Sequence, residues 1–130
     1  MPSVPWLNFF AVGSGAALGA WTRWGLGLLL NPIFPTLPFG TLAANLIGGF
    51  LIGALMAVAD PLGFPPAMRL LLATGFLGGL TTFSTFSAEV TTLLFRQQIG
   101  WALIAIGMHL LGSLLMTAAG LMLARALLLR

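Results

Sequence analysis

Four long apolar segments follow one another along the chain, and short polar or proline-containing stretches separate them. They cover approximately residues 6–30, 39–59, 67–95 and 101–124. A helix of about 20 apolar residues is long enough to cross the hydrocarbon core of a bilayer. The pattern therefore predicts an all-α membrane protein, with four transmembrane helices in a single domain over residues 1–130. Both termini would then lie on the same side of the membrane.

The third segment departs from this apolar pattern between residues 75 and 87, which read GFLGGLTTFSTFS. These residues include five hydroxyl side chains, which a helix that only crosses lipid does not need. Gly78 and Gly79 each cost a helix about 1 kcal/mol relative to alanine. Thr81 and Thr82 follow, and threonine is a favoured helix N-cap. We therefore predict that the third helix is broken at mid-membrane, where irregular backbone is tolerated only inside protein or along a polar cavity.

The composition supports a membrane protein and argues against several other classes. Hydrophobic residues make up 59% of the chain and charged residues 5%, which excludes an ordinary soluble domain. No cysteine is present, so a disulfide framework and a thiolate metal site are both excluded. The chain also lacks paired carboxylates, a phosphate-binding loop and a nucleophile with an adjacent base. The sequence is therefore not expected to encode an enzyme.

The arginines indicate how the chain inserts into the membrane. Arg69, Arg125 and Arg130 fall on the side of the termini, whereas Arg96 and, loosely, Arg23 fall on the other side. Membrane orientation follows the asymmetry of Lys and Arg between short loops, and three against two is hardly an asymmetry. Insertion both ways up is therefore expected, which would allow two copies to pair antiparallel. A single orientation remains the alternative.

Glycines four residues apart recur in three of the segments. Such spacing lets helix backbones approach closely in lipid, where there is no hydrophobic drive for association. We expect a tightly packed core that extends between subunits, since four helices alone enclose little space. The three pairs are Gly15 with Gly19, Gly49 with Gly53, and Gly75 with Gly79.

Asn45 lies in the middle of the second segment, where its amide needs hydrogen-bond partners. An unsatisfied polar group in hydrocarbon costs several kcal/mol, about 2 to 7 depending on the reference state. One interpretation is that Asn45 links neighbouring helices. The other is that its NH₂ group donates to an anion, which it could do at any physiological pH.

Phe83 and Phe86 are three residues apart and therefore share one face of a helix. Phenylalanine in a membrane helix usually faces lipid or the core. Here Ser84 and Thr85 lie between the two rings, at the expected start of a half-helix. Because the edge of an aromatic ring is electropositive, the two rings could instead line a path for a small anion.

The fourth segment carries a polar stripe, His109, Ser113 and Thr117, at helical spacing. The histidine could be a satisfied core residue, but the three groups together indicate an ion pathway. Arg23 and Glu89 are the charges within the segments. Arg23 could extend to the interface or attract anions, and Glu89 could be linked to protons or could simply accept hydrogen bonds.

Residues 75–89 closely resemble the signature of the Fluc (CrcB-type) fluoride channel family. Two further blocks also match, Gly40-Thr41-Leu42-x-x-Asn45-Leu46-Ile47-Gly48 and Gly19-Ala20-x-x-Arg23. The resemblance covers essentially the whole chain, and its broken-helix motif is highly specific. One difference is Leu77, where cysteine is common in the family.

The resemblance implies an antiparallel, dual-topology homodimer in the cell (inner) membrane, with two separate fluoride pathways. It implies that backbone carbonyls of Gly78 and Thr81 hold a structural Na⁺ shared by both subunits. The expected anion pathway consists of Asn45, Phe83, Phe86, Ser84, Thr85, His109, Ser113 and Thr117. The residues expected in a vestibule or supporting role are Arg23, Thr41 and Glu89.

The function that the resemblance implies is passive export of fluoride from the cytoplasm down its electrochemical gradient, which protects the cell from fluoride toxicity. One alternative is a small four-helix exporter of another ion, which would need an acidic residue in its first span; this chain has none there. The other alternative is a structural membrane subunit whose glycine faces bind partner helices.

Overall fold

A computed structural model of the chain describes residues 5–128, and all regular structure in that part is helical. Arg130, which contributed to the predicted orientation, lies outside the described residues. A short 3₁₀ turn, Asn31–Ile33, follows the first helix. The helices are α1 (Pro5–Leu30), α2 (Phe39–Val58), α3 (residues 66–80), α4 (Phe83–Phe95) and α5 (Ile99–Leu128).

The helix α3 is irregular along most of its length. It begins with a regular turn, Pro66–Arg69, continues as a π-helix, Leu70–Leu77, and closes with Gly78–Leu80. The wider π winding continues to its end, where the Gly78 N–H donates to the carbonyl of Ala73, five residues back. The π-helix is rare, appears mostly as single turns inside α-helices, and is frequently found at functional sites.

Three of the helical segments within residues 5–128 are long and apolar enough to cross a membrane, judged by length and composition. They are Phe39–Val58, the segment Pro66–Phe95 that contains α3 and α4, and Ile99–Leu128. The helix α1 forms as expected and has 26 residues, but it is not among the three. Polar residues such as Asn8 and Arg23 within α1 lower its hydropathy.

The glycine pairs pack helices of one chain closely together, as the sequence predicts. Gly15 and Gly19 of α1 are buried against α3, and a methyl group at Gly19 would overlap the carbonyl oxygen of Phe76. From the opposite side, methyl groups at Gly75 and Gly79 of α3 would also come too close to backbone carbonyl oxygens of α1. The helix α1 is thereby held against the end of α3.

The helices α2 and α5 meet through a second set of small residues. A methyl group at Gly53 would overlap the carbonyl oxygen of Thr117, and one at Gly120 would overlap that of Phe50. The helix α4 packs on α5 through a separate apolar cluster that includes Phe86, a buried residue. Residues of α2, α3, α4 and α5 line one open groove.

Candidate functional site

The candidate site forms where the backbone leaves the helical path between α3 and α4. Thr81 and Thr82 are both extended, with φ/ψ of −85°/155° and −151°/122°. The Thr82 hydroxyl oxygen then caps α4 by accepting a hydrogen bond from the Thr85 N–H at 3.1 Å. Threonine suits this position because its side chain can satisfy one of the free N–H groups of the first helical turn.

Asn45 of α2 holds the extended peptide by pairing with both backbone groups of Thr82. The Thr82 N–H donates to Asn45 Oδ1 at 2.8 Å, and Asn45 Nδ2 donates to the Thr82 carbonyl oxygen at 3.0 Å. The side-chain amide thus replaces the peptide partner that a helix would supply. Asn45 therefore links α2 to the interruption, as one of its two interpretations predicts.

At the interruption, two backbone N–H groups donate to side chains instead of to the carbonyls at the end of α3 that they would reach in a continuous helix. The Thr82 N–H would reach the Gly78 carbonyl, and the Thr85 N–H would reach the Thr81 carbonyl. The first donates instead to Asn45 and the second to the Thr82 hydroxyl. Carbonyl groups released in this way are available to other donors or to a cation.

The carbonyl of Gly79 accepts a hydrogen bond from a side chain of α1. Arg23 Nε donates to the Gly79 oxygen at 3.1 Å, and the arginine is partly buried there. A cation at the C-terminal end of a helix interacts favourably with the helix dipole. Arg23 therefore stabilises the end of α3. This contact does not test either predicted role of Arg23, extension to the membrane interface or attraction of anions.

His109 of α5 joins the same network. Its Nδ1 lies 3.0 Å from Asn45 Nδ2, and its ring packs on Phe86 with centroids 4.6 Å apart. The residue is 8% exposed, so the imidazole is held within the protein. Phe86 in turn contacts Phe83 edge to face at 5.4 Å, which forms a continuous row of three rings.

An open groove with a volume of about 510 Å³ runs past the interruption. It is mainly apolar, with glycine and aliphatic side chains from α2, α3 and α5 between a few polar groups. Phe83 lies at its exposed side, 72% accessible, whereas Phe86 is buried. The predicted site residues that the structure brings together in this groove are Asn45, Gly78, Thr81, Phe83, Phe86, His109 and Ser113.

Two predicted pathway residues, Ser84 and Thr85, lie beside the groove. Their hydroxyl oxygens are 3.3 Å and 3.1 Å from the hydroxyl oxygen of Thr82. Thr117, one turn beyond Ser113, donates to the Gly49 carbonyl of α2 at 2.9 Å. These three hydroxyls therefore have protein partners, and their place in a pathway stays a prediction.

Thr41 and Glu89 lie together on the other side of His109. The Thr41 side chain is buried and lies close to the carboxyl group of Glu89. Glu89 also lines a small cavity together with Phe86 and His109, separate from the groove. The supporting role predicted for Thr41 and Glu89 therefore remains open, although both are close to the row of rings.

Thr82 is the residue whose importance the sequence did not reveal. It was expected only as a helix cap, yet its backbone is the main partner of Asn45. The cap signal of consecutive threonines after two glycines located the residue correctly. It could not show that a helix 37 residues earlier supplies the partner.

The oxygen groups near the interruption fit a hard monovalent cation better than a transition metal. Within residues 5–128 there is no group of three or more His, Cys, Asp or Glu side chains that could hold a metal ion. The carbonyls of Gly78 and Thr81, by contrast, have lost their helical donors to Asn45 and Thr82. Backbone carbonyls at a broken helix are recurrent ligands for Na⁺.

The chain is similar to known proteins along most of its length. The family model described as CrcB-like protein, Camphor Resistance (CrcB), matches residues 10–121. A protein of Nitrosospira multiformis named fluoride-specific ion channel FluC is 62% identical over 113 residues, which cover 86% of this chain and 88% of that protein. Proteins with the same name from Aromatoleum aromaticum and Pseudomonas putida are 61% and 60% identical, over 86% and 88% of this chain and 86% and 91% of their own lengths.

Proposed function

The chain belongs to the CrcB family, and on that premise we propose that it is a fluoride-selective channel that carries F⁻ passively out of the cytoplasm. Its relatives are named as ion channels, so the chain is a channel protein and not an enzyme. We propose the cell (inner) membrane as its location, with several membrane-crossing segments. Export down the electrochemical gradient would protect the cell from fluoride that enters as neutral HF.

The observation that carries this proposal is the groove at the interrupted helix. It places an amide, an imidazole, a serine hydroxyl and two phenylalanine rings against one unwound stretch of backbone. Among the described residues, no arginine side chain lines it. Neutral donors and ring edges can replace part of the water around a small anion without binding it so tightly that it cannot leave.

The energy for export needs no further domain. An inside-negative membrane potential drives an anion outward with about 2.3 kcal/mol per charge for each 100 mV. Selectivity over chloride would follow from a narrow path and closely spaced hydrogen-bond donors, which favour the smaller and more strongly hydrated ion.

We propose the functional unit to be an antiparallel homodimer with four spans per subunit, including α1. The near balance of arginines supports insertion both ways up. The open side of the groove and the exposed ring of Phe83 support a second copy beside it. The third segment, interrupted at Thr81 and Thr82, would then lie with this interruption near the middle of the bilayer.

We further propose that the carbonyls of Gly78 and Thr81 hold a structural Na⁺ between the two subunits. The diverted N–H groups of Thr82 and Thr85 support this assignment. When bound, the ion would supply positive charge at the C-terminal, carbonyl end of α3 in each subunit. Its test is the melting temperature of the purified dimer in Na⁺ and in N-methylglucamine. A higher melting temperature in Na⁺ would support the site, and identical melting temperatures in the two solutions would rule it out.

The decisive test of the function is fluoride efflux from liposomes that contain the purified protein, recorded with a fluoride electrode. Rapid protein-dependent efflux is expected without any proton gradient, and chloride efflux should stay at the level of empty liposomes. Efflux that requires a proton gradient would indicate an exporter instead. No efflux of either ion would favour a structural subunit.

Dual topology can be tested separately because the chain contains no cysteine. The variant Leu62→Cys places one thiol on an exposed residue of the loop between α2 and α3. In sealed vesicles, an impermeant maleimide should label about half of the thiols, and permeabilisation should expose the rest. Complete labelling, or none before permeabilisation, would contradict insertion both ways up.

A further inference from the structure

A second pocket, separate from the groove, lies between α2, α3 and the end of α5, and we refer to it as the apolar pocket. Its volume is about 260 Å³, and every described side chain that lines it is apolar. Along α2 it extends from Leu51 to Val58, and on α3 it reaches Phe76 and Leu77. Leu51 and Leu128, which both line it, are 38% and 60% exposed. The pocket is therefore open to the side of the protein.

One end of the apolar pocket lies near a membrane surface. The helix α2 has 20 residues and is about 30 Å long, which matches the hydrocarbon core of a bilayer. Val58, its last residue, therefore lies close to the head groups. The other end of the pocket is formed by Phe76 and Leu77, just before the interruption that we place near the middle of the bilayer. The pocket thus runs in the direction of a lipid acyl chain.

Arg125 lies beside the surface end of the apolar pocket. It precedes Leu128 by three residues, and residues at this spacing are neighbours on the surface of a helix. Ala124, the residue before it, packs on Val58, so Arg125 lies at the level where α2 ends. The arginine is exposed and forms no ion pair with any residue in the described part of the chain. Its positive charge is therefore available to an anionic group at the mouth of the pocket.

The other arginine at this end of the protein is already engaged. All three guanidinium nitrogens of Arg69 face protein acceptors. Its Nε donates to the Phe64 carbonyl at 2.9 Å, one terminal nitrogen donates to the Ala59 carbonyl at 3.2 Å, and the other pairs with Asp60. The same ion pair neutralises the acidic residue nearest to the pocket along α2. Arg125 is thus the arginine that we expect to bind a ligand.

The apolar pocket and the groove occupy different faces of α2. The groove contacts α2 at Asn45 and Ile52, which are seven residues apart and share one face, whereas the pocket contacts it at Leu51 and Val58, which share another. The two have only Leu77 in common among the residues that line them. A second copy seated on the open side of the groove therefore leaves the pocket facing lipid.

We propose that the apolar pocket binds an acyl chain of an anionic phospholipid, whose phosphate group pairs with Arg125. An arginine can donate two parallel hydrogen bonds to phosphate oxygens. Anionic lipids are attracted to basic residues at the membrane surface, and basic pockets between transmembrane helices are known sites for their head groups. A zwitterionic lipid fills the pocket equally well but carries a positive group that offsets the attraction. The proposal does not depend on which ion the protein conducts.

The test is a competition between two lipids that differ only in their head groups. Purified protein is incubated with an equimolar mixture of phosphatidylglycerol and phosphatidylcholine with identical acyl chains, and the retained lipids are counted by native mass spectrometry. Phosphatidylglycerol should be retained about fivefold more, because one arginine at the surface contributes about 1 kcal/mol. Equal retention would overturn the proposal. Inorganic phosphate at the same concentration should not displace the lipid, and displacement would indicate a site for a soluble anion instead.

Arg125→Gln tests the head-group contact, with Arg96→Gln as its matched control. Arg96 is also exposed at the end of a helix, but it follows α4 and lies at the opposite membrane surface. The preference for phosphatidylglycerol should fall to about one in the Arg125 variant and stay near fivefold in the control. A preference that persists in Arg125→Gln would overturn the assignment of this residue.

Ala54→Leu tests the acyl-chain contact, because Ala54 lines the apolar pocket and a larger side chain fills part of it. Retention of both lipids should fall together, in a protein whose melting temperature shows that it is folded. If the variant does not fold, Leu51→Trp at the exposed rim provides the same test. Unchanged lipid retention would overturn the proposal. If the oligomeric state changes at the same time, the occupant of the pocket is a second copy of the chain.

Discussion

Thr117 on α5 donates its hydroxyl proton to the carbonyl oxygen of Gly49 on α2 at 2.9 Å. The same hydroxyl lies 3.0 Å from the Ser113 carbonyl of its own helix. The absence of a side chain at Gly49 allows this approach, since a methyl group there would come within 3.3 Å of the Thr117 hydroxyl. A hydroxyl has one proton, and here it is committed to backbone carbonyls. The contact therefore links two helices and competes with any donation to an anion.

Thr117→Val should weaken the protein without closing the channel. Loss of one interhelical hydrogen bond in a membrane protein costs about 0.6 kcal/mol and at most about 1.7 kcal/mol, and we expect a corresponding fall in unfolding free energy. Fluoride efflux should be retained. The matched control is Thr92→Val, whose hydroxyl bonds only within its own helix, to Ala88 at 2.8 Å. Loss of efflux at unchanged stability would instead restore Thr117 to the anion pathway.

Gly19→Ala should destabilise the packing of α1 on α3. The added methyl group would overlap the Phe76 carbonyl oxygen, which is backbone and cannot rotate away. Overpacking of this kind costs about 1 to 3 kcal/mol, measured as a lower melting temperature in detergent. Gly25→Ala is the control on the same helix, because nothing lies within 4 Å of its added methyl group. The stability of Gly25→Ala should be unchanged or higher by up to about 1 kcal/mol, because alanine favours the helix more than glycine does. Equal losses of stability in the two variants would contradict the close approach of α1 and α3 at Gly19.

Arg69→Gln should destabilise the loop between α2 and α3 more than Asp60→Asn does. Arg69 donates to the carbonyls of Phe64 and Ala59 at 2.9 Å and 3.2 Å, in addition to its ion pair with Asp60. The ion pair is exposed, with 84% of the Asp60 side chain accessible, so its loss should cost less than about 1 kcal/mol. Hydrogen bonds from a charged donor contribute about 1.5 to 3 kcal/mol. Thermal unfolding of the two variants measures the difference, and equal losses would assign the stability to the ion pair.

Phe83→Ile should reduce fluoride efflux strongly in a protein that still folds. The substitution keeps an apolar side chain but removes the electropositive ring edge, along with the edge-to-face contact to Phe86. We expect a loss of about tenfold or more, which corresponds to about 1.4 kcal/mol. Phe95→Ile is the control on the same helix, since Phe95 is 85% exposed and lies at the far end of α4. Normal efflux through the Phe83 variant would refute the role of its ring.

The local backbone around the site could be anticipated from the sequence because it depends on neighbouring residues. Two adjacent glycines are unfavourable inside a helix, and a threonine that follows them can cap the next helix, so the pattern indicated an interruption at residues 78–82. The structure shows α3 ending at Leu80 and Thr82 capping α4. The glycine pairs were also identified correctly, since small residues four apart always share a helix face.

Partners that are distant in the chain could not be anticipated in the same way. Polar spacing in one helix placed His109, Ser113 and Thr117 on a common stripe, but their partners differ. His109 meets Asn45, whereas Thr117 meets the backbone of Gly49. Nor did the sequence predict the π-helix Leu70–Leu77, because its wider winding depends on how α3 packs against its neighbours.

The order of apolar and polar residues was enough to identify a helical membrane protein, and it predicts an interruption in the third apolar segment. Those properties follow from hydrophobicity and backbone preference, which each residue carries by itself. The tertiary structure alone decided which hydrogen-bond donors are paired, because the partner of each comes from another helix. Asn45 shows the difference: its position in an apolar segment indicated that it must bond to something, and only the fold showed that Thr82 and His109 are its partners.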